Sequence, residues 1–328
     1  LSDTAEMDLL RAAGWGDAEQ SPMEGDASTK AFLRLRRGAE RAILMTSPAD
    51  PSVAVNFAHV AGLLRDRGLR PPRILSADLT RGALLIEDFG DRVFARQIAN
   101  TPALAQPLSD LAIDVLLRLG QHPAPDLAHF DAETAADQAE LAATFYADLD
   151  AARYAPLRAA LKAALEDAPP AEPVLMLRDY HAENIIHLPE NPGLARAGLI
   201  DFQDAMVAHP AYDLVSFLQD ARRDVPPDMV ARQIRRFAEG AGMTEAELAH
   251  ALALFGTARA LRILGVFARL ARAGGKPKYL ALMPRVWGHL ERNLAHPALA
   301  QVAHEVRALL PRPSPDHLES LRSPCPTP

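Results

Sequence analysis

Seven consecutive residues, Arg178-Asp179-Tyr180-His181-Ala182-Glu183-Asn184, and an aspartate that follows a short apolar run, Asp201 before Phe202, are the side chains best suited to chemistry. Transfer of a phosphoryl group to a hydroxyl needs a carboxylate at the attacking oxygen, to orient it and accept its proton. It also needs hard oxygen ligands that hold magnesium against nucleotide phosphates. Asp179 suits the first task, and Asn184 and Asp201 suit the second. His181, Glu183 and Asp204, the polar side chains set around these three, are candidate substrate contacts, and His181 could equally serve to fix the loop. On a bland reading Asp179 and Asn184 are turn residues and Asp201 opens a loop after a strand. The chain has only five asparagines, so an R-D-x-x-x-x-N segment followed by a correctly placed Asp-Phe favours the functional reading.

Other signals are weaker. Gly14-Trp15-Gly16 lacks the third glycine of a dinucleotide fingerprint, and no GxxxxGK[ST] occurs, which disfavours a Walker-type ATPase. Gly274-Gly275-Lys276 precedes Pro277 between helical stretches and reads as a helix-to-helix turn. The eleven histidines show no HExxH spacing; His181 and His209 stand out because they flank the proposed base and metal residues. Tyr212 and Asp213, at the start of a helix, are expected to cap or brace the loop.

The elements that must position these residues change character along the chain. From Ser21 to about Glu87 short strand-like runs, AFLRLRR, RAILMT and GALLIED, surround one helix, VAVNFAHVAGLLRDRG, that stops at Gly68 before Pro71 and Pro72. This predicts an antiparallel sheet interrupted by a helix. After Gly90 amphipathic, alanine- and leucine-rich stretches are expected to be helical at 102–120, 131–149, 152–167, 226–240, 245–272 and 278–295. Residues 173–204 are the exception, two apolar strands around polar loops, where chemistry is expected. The expected division is an upper lobe at 1–88, a helical lower lobe at 89–310 and a mobile tail at 311–328.

Composition limits the alternatives. With 35 basic and 42 acidic side chains the net charge is -7 over 328 residues, too weak and too well mixed for a nucleic-acid binder. The 49% hydrophobic content supports a sizeable core. Cys325 is the single cysteine, so no internal disulfide or CxxC metal cluster is possible, which suits a reducing cytoplasm. No run approaches the roughly 18 to 20 continuous apolar residues of a membrane span, and the amino end does not read as a secretion signal. The expectation is a cytoplasmic monomer with small-molecule partners, no nucleic acid and no membrane.

Several phrases together resemble the aminoglycoside phosphotransferase and choline kinase superfamily, from Gly25 to about Asp220. The resemblance implies a two-lobed, protein-kinase-like α+β fold with a small antiparallel-sheet upper lobe and a larger helical lower lobe. It also implies ATP and Mg2+ as cofactors. Gly25-Asp26-Ala27-Ser28-Thr29-Lys30 is similar to the family's strand-loop-strand cover over the nucleotide, which makes Gly25, Asp26, Ser28 and Lys30 nucleotide-binding candidates. Leu84-Leu85-Ile86-Glu87-Asp88-Phe89-Gly90-Asp91 is similar to the hinge that meets adenine through backbone groups, which adds Glu87 and Phe89. Leu199-Ile200-Asp201-Phe202-Gln203-Asp204-Ala205 and His209-Pro210-Ala211-Tyr212-Asp213-Leu214 are similar to the metal-binding segment and the helix after it.

Within the superfamily the wording of these segments is most similar to bacterial kinases of cell-wall recycling. That similarity implies phosphorylation of the anomeric hydroxyl of N-acetylmuramate and/or N-acetylglucosamine. Kinases for another small alcohol, such as an aminoglycoside, choline or homoserine, are the alternative, and a catalytically dead binding module is a more distant one. Two departures matter. Leu177-Arg178 stands where many relatives have histidine before the aspartate, and setting V-A-I-K against Ala42-Ile43-Leu44-Met45 puts Met45 where a phosphate-binding lysine belongs. Lys30 is the only lysine of the first 150 residues and shares strand parity with Phe32, Arg34 and Arg36, so its face could offer cations in that lysine's stead. For Arg34 and Arg36 a solvated edge is the favoured reading.

Overall fold

The computed structural model describes residues 2–23 and 30–323. In chain order these form α1 (Ser2–Ala12), β1 (Glu19–Met23), β2 (Ala31–Arg37), β3 (Glu40–Thr46), α2 (Ser52–Asp66), β4 (Ile74–Asp78), β5 (Ala83–Glu87), α3 (Phe94–Asn100) and α4 (Ala105–Gly120). There follow α5 (Ala132–Leu141), α6 (Ala151–Glu166), β6 (Val174–Met176), β7 (Ile185–His187), β8 (Ala197–Leu199), β9 (Met206–Ala208) and α7 (Ala211–Leu218). The chain ends with α8 (Pro227–Ala241), α9 (Glu245–Arg272), α10 (Met283–Asn293), α11 (Ala300–Leu309) and α12 (Pro315–Ser320). The fold is the two-lobed α+β, kinase-like arrangement, a small antiparallel sheet and a larger helical part. By contact the chain divides into residues 1–118 with 182–205, and residues 119–181 with 206–328.

The first unit is built on a five-stranded antiparallel sheet of order β1-β2-β3-β5-β4. Period-two alternation decides its faces. Leu35, Ala42, Leu44, Ala83 and Leu85 join Leu9, Leu10 and Trp15 in one cluster, so α1 covers that side. Met45, one position on from Leu44, belongs to the opposite face and is 1% exposed. The β7–β8 hairpin belongs to this unit and is stitched to the chain before β4 and to the chain after β5. Leu199 N–H donates to the Arg70 carbonyl at 2.9 Å, and His187 N–H donates to the Arg92 carbonyl at 2.8 Å. Phe89, Ile186 and Leu188 form its core, and Gly198 lets Phe89 approach, since a Cβ there would lie 2.8 Å from the ring.

The second unit is organised around α9. Its amino end is fixed by a capping box between Thr244 and Glu247. Buried residues occur on all sides of it, and it packs on α5, α6, α7, α8 and α10. Gly265 permits the closest of these contacts, because a Cβ there would overlap the Leu141 carbonyl carbon and the Ala142 nitrogen. The antiparallel pair β6–β9 carries the short apolar strand that leads to Arg178.

Most expected helices appear, with three differences, the first being that 102–120 opens as a 3-10 turn, Pro102–Leu104, before α4. The stretch 131–149 is helical only to Leu141 and then widens into a π-turn over Ala142–Tyr146. Buried Arg272 accounts for this, donating from Nη1 to the Phe145 carbonyl at 2.9 Å and to Asp148 at 2.6 Å. The stretch 278–295 opens as a 3-10 turn, Pro277–Leu282, before α10. Residues 311–323, read as part of a mobile tail, include α12, where Ser314 caps the helix and Leu321 is 1% exposed. Tyr146 explains the attachment, donating its hydroxyl to the Pro311 carbonyl at 2.8 Å with its ring edge-on to His317. The helix α9 is long and apolar enough to cross a membrane by length and composition, although no unbroken apolar run was expected to be; almost all of it is buried in protein.

Candidate active site

In the first unit, the register of the β7–β8 hairpin sets the positions of Asn184 and Asp201. Ile185 pairs with Leu199, so Asn184 and Ile200 extend the ladder by one step, and Ile200 N–H donates to the Asn184 carbonyl at 3.1 Å. Asp201 follows in the left-handed region, with φ at 58°, a conformation that Asp tolerates better than most residues. Its carboxylate is exposed, and its Oδ1 is met by Lys30 Nζ at 2.6 Å. Buried Gln203 reaches back with its Nε2 to Asp201 Oδ1 at 3.2 Å and Asp204 Oδ2 at 3.1 Å, and so sets the spacing of both carboxylates. Phe202 between them is 1% exposed and stacks on Phe57 of α2 at 4.7 Å, which anchors the segment.

The hinge-like segment of the same unit is held by side chains. Glu87 accepts from Arg70 Nη2 at 2.6 Å and Nη1 at 2.9 Å, and from Arg73 Nε at 3.3 Å. The Arg70 guanidinium in turn covers the Phe89 ring at 4.8 Å. Burial would raise the Glu87 pKa, but the hydrogen bonds and charge of Arg70 and Arg73 hold it below the ordinary carboxylate range. Arg34 leaves β2 to grip Asp91 through Nη1 at 3.1 Å and Nη2 at 2.9 Å, and its Nε lies 2.8 Å from Asp88. Its charge serves this junction rather than a solvated edge. Arg36 bonds the Gly38 carbonyl through Nε. Gly25, Asp26 and Ser28 lie outside the described residues.

In the second unit, Asp179 leaves β6 through Arg178, whose φ of 71° is unusual for a residue with a side chain. Asp213 of α7 holds this turn: its carboxylate accepts from Leu177 N–H at 2.6 Å and Arg178 N–H at 2.9 Å. Burial pushes the Asp213 carboxyl up to about 7, against the pull of those two bonds. This is the expected bracing role. Arg262 of α9 places Nη1 3.7 Å from Asp179 Oδ1. Burial would raise the Asp179 pKa, but the permanent cations around it, Arg262 first, then Arg178 and Arg259, outweigh it and hold the carboxyl below its ordinary range. Asp179 is therefore an anion at neutral pH.

The histidines separate by environment. His181 is 7% exposed, burial and Arg222 push it down to about 4, and its Nε2 lies 3.4 Å from Arg222 Nη1. His209 accepts the Ala211 N–H on Nδ1 and faces the Pro169 carbonyl with Nε2, a neutral ring stacked on Phe255 that anchors the start of α7. Glu183 is half-buried and Asp204 exposed. The residues that sequence reasoning missed are Gln203, Arg259 and Arg262. The two arginines stand three apart on one face within the apolar middle of α9, whose other charged residues lie in its first and last turns, and this is the signal that could have found them.

Such a pair of loops, one braced around an aspartate and one presenting an asparagine and an aspartate from a hairpin, belongs to phosphotransferases of the kinase-like fold. The phosphotransferase enzyme family matches residues 19–249, and the chain belongs to that family. An N-acetylmuramate/N-acetylglucosamine kinase from Caulobacter vibrioides is 36% identical over 352 residues, covering 92% of this chain and 94% of that protein. A protein of the same description from Pseudomonas aeruginosa is 30% identical over 94% of this chain and 95% of its own length. Among solved structures, a choline/ethanolamine kinase family protein from Mesorhizobium loti aligns with a TM-score of 0.62 at 16% identity, over 94% of this chain and 99% of that one.

Proposed function

We propose that this chain transfers the γ-phosphoryl group of ATP to the anomeric hydroxyl of N-acetylmuramate or N-acetylglucosamine. The observation that carries the reading is full-length similarity, above nine-tenths of both chains, to two relatives described as kinases of those sugars. An anomeric hydroxyl is more acidic than an ordinary alcohol because the ring oxygen withdraws electrons. A carboxylate of lowered pKa such as Asp179 is then base enough to orient it and take its proton. Asp213 keeps the Asp179 turn in place from behind, and the phosphoryl transfer itself relies on positioning and charge neutralisation.

Magnesium suits the first unit's donors. The Asp201 carboxylate and the Asn184 side-chain oxygen are hard ligands at one end of a hairpin, and magnesium takes few protein ligands beside phosphates and water. Bound there, the ion would neutralise phosphate charge. Met45 is sealed in the core, and Lys30 already reaches Asp201, so Lys30 is the cation that would face the phosphates. Lys30→Ala is expected to raise KM for ATP and lower turnover, a loss of about 1.5 to 3 kcal/mol in transition-state binding. Steady-state kinetics with ATP and sugar varied separately check this, and a wild-type KM for ATP would remove Lys30 from the role. The test of the function itself is ATP turnover against both amino sugars, an aminoglycoside and choline. Turnover with choline or the aminoglycoside but with neither sugar would defeat the proposal.

A further inference from the structure

The segment Asp220-Ala221-Arg222-Arg223-Asp224 carries two cations and two anions, and the structure distributes their charges unequally. Asp220, 1% exposed, accepts the Arg222 backbone N–H at 2.9 Å and lies 3.4 Å from Arg223 Nε. Arg223 also covers the Phe217 ring at 5.1 Å. Asp224 is gripped by Arg285 of α10 through Nε at 2.7 Å and Nη2 at 3.0 Å, while Arg285 Nη1 binds the Ala221 carbonyl at 3.0 Å. Both carboxylates are thereby engaged with other arginines. Arg222 is half-buried, and among the described residues its guanidinium meets no carboxylate; its partner is His181.

His181 cannot supply the missing charge. A guanidinium only donates, so His181 accepts on Nε2 and is a neutral ring with its proton on Nδ1. The other groups near Asp179 within this unit do not supply it either. Arg262 and Arg259 are cations, and Asp213 is braced inside the protein by the loop's own N–H groups. A half-buried cation without a counter-ion is costly unless a ligand brings the opposite charge. His181 stands two residues from Asp179 and its N–H donates to the Asp179 carbonyl at 3.1 Å, so the His181–Arg222 pair is attached to the same loop as the proposed base.

We infer that Arg222 receives the acidic substituent of the acceptor, so that the site selects a carboxylated amino sugar over a neutral one. The inference rests on the reading of the chain as an amino-sugar kinase. N-acetylmuramate is N-acetylglucosamine with a lactyl ether ending in a carboxylate, and the guanidinium fork matches a carboxylate in two parallel hydrogen bonds. The same surroundings disfavour a polycationic aminoglycoside, whose ammonium groups would meet arginines.

The experiment measures kcat/KM for N-acetylmuramate and for N-acetylglucosamine at saturating magnesium and ATP, in the wild type, Arg222→Ala, Arg222→Lys and Arg222→Glu. In Arg222→Ala the ratio of acidic to neutral sugar should fall about tenfold to a hundredfold, chiefly through KM for the acidic sugar. Arg222→Lys should recover part of the ratio, and Arg222→Glu should depress it further. Equal losses on both sugars, or a rise in KM for ATP in place of the sugar effect, would overturn the inference and leave the proposed activity standing. A wild type that phosphorylates neither sugar would end both. If Arg222→Ala does not fold, the ratio in the Lys and Glu variants decides the matter by itself.

Discussion

Asp179→Asn is expected to fold, to bind ATP and to lose phosphoryl transfer by about 10²- to 10⁴-fold. Asparagine keeps the shape of the side chain, and the turn that carries it is held by Asp213 through backbone N–H groups, so the loop does not depend on the Asp179 carboxylate. What disappears is the anion that Arg262 and its neighbours favour, and with it the acceptor for the hydroxyl proton. A residual rate is expected, because positioning and phosphate neutralisation survive the change. Turnover, nucleotide binding by calorimetry and thermal melting should be measured on the same preparation. Near-normal turnover in a folded variant would remove Asp179 from the base role, whereas lost ATP binding would mean that the substitution acts on the nucleotide site.

Asp201→Ala should be the most damaging change in the first unit. It removes a charged oxygen ligand candidate, removes the carboxylate oxygen that Lys30 meets, and deprives Gln203 of one of its two anchors. It also puts alanine at a φ of 58°, which costs about 1 kcal/mol of backbone strain that aspartate bears more easily. Asp201→Asn separates the two effects, since asparagine accepts the left-handed conformation and loses only the charge. The expected ranking is that Asn184→Ala shows a raised magnesium requirement partly overcome by excess magnesium, while both Asp201 variants stay impaired at any magnesium concentration. Titrations of activity against magnesium for all three variants give the comparison. Unaltered magnesium dependence in Asn184→Ala and Asp201→Asn would refute the assignment of these residues as ligands.

The sheet strands and the helix between them were legible because apolar period carries them, as where Leu33 and Leu35 alternate with Arg34 and Arg36, and α9 was legible as a long run of alanine and leucine, strong helix formers. The edge strands β1 and β4 were not, because EQSPM and ILSAD bury little and take their shape from pairing with β2 and β5. The candidate site divides in the same way. Asp179, Asn184 and Asp201 could be found because their spacing along the chain is short and particular. Arg259 and Arg262 come from a helix far along the chain, and their spacing of three marks a polar face without saying which loop it meets; Gln203 acts through a side-chain bridge between two aspartates, which leaves no spacing to recognise. Arg34 was misjudged for a related reason, since its partners Asp88 and Asp91 reach it only through tertiary contact.

The helix α9 has a further consequence for how the chain is made. Its apolar window matches a bilayer span in length and composition, and in the folded protein that surface is covered by the neighbouring helices. Synthesis delivers α5, α6, α7 and α8 before α9 leaves the ribosome, and a partner surface is therefore waiting on that side. The side that packs on α10 has no cover until α10 itself is translated. A chain stopped between the two helices would present a membrane-length apolar surface to chaperones and insertion machinery, and a slowing of translation at the Gly274-Gly275 turn would prolong that exposure in an otherwise normal polypeptide.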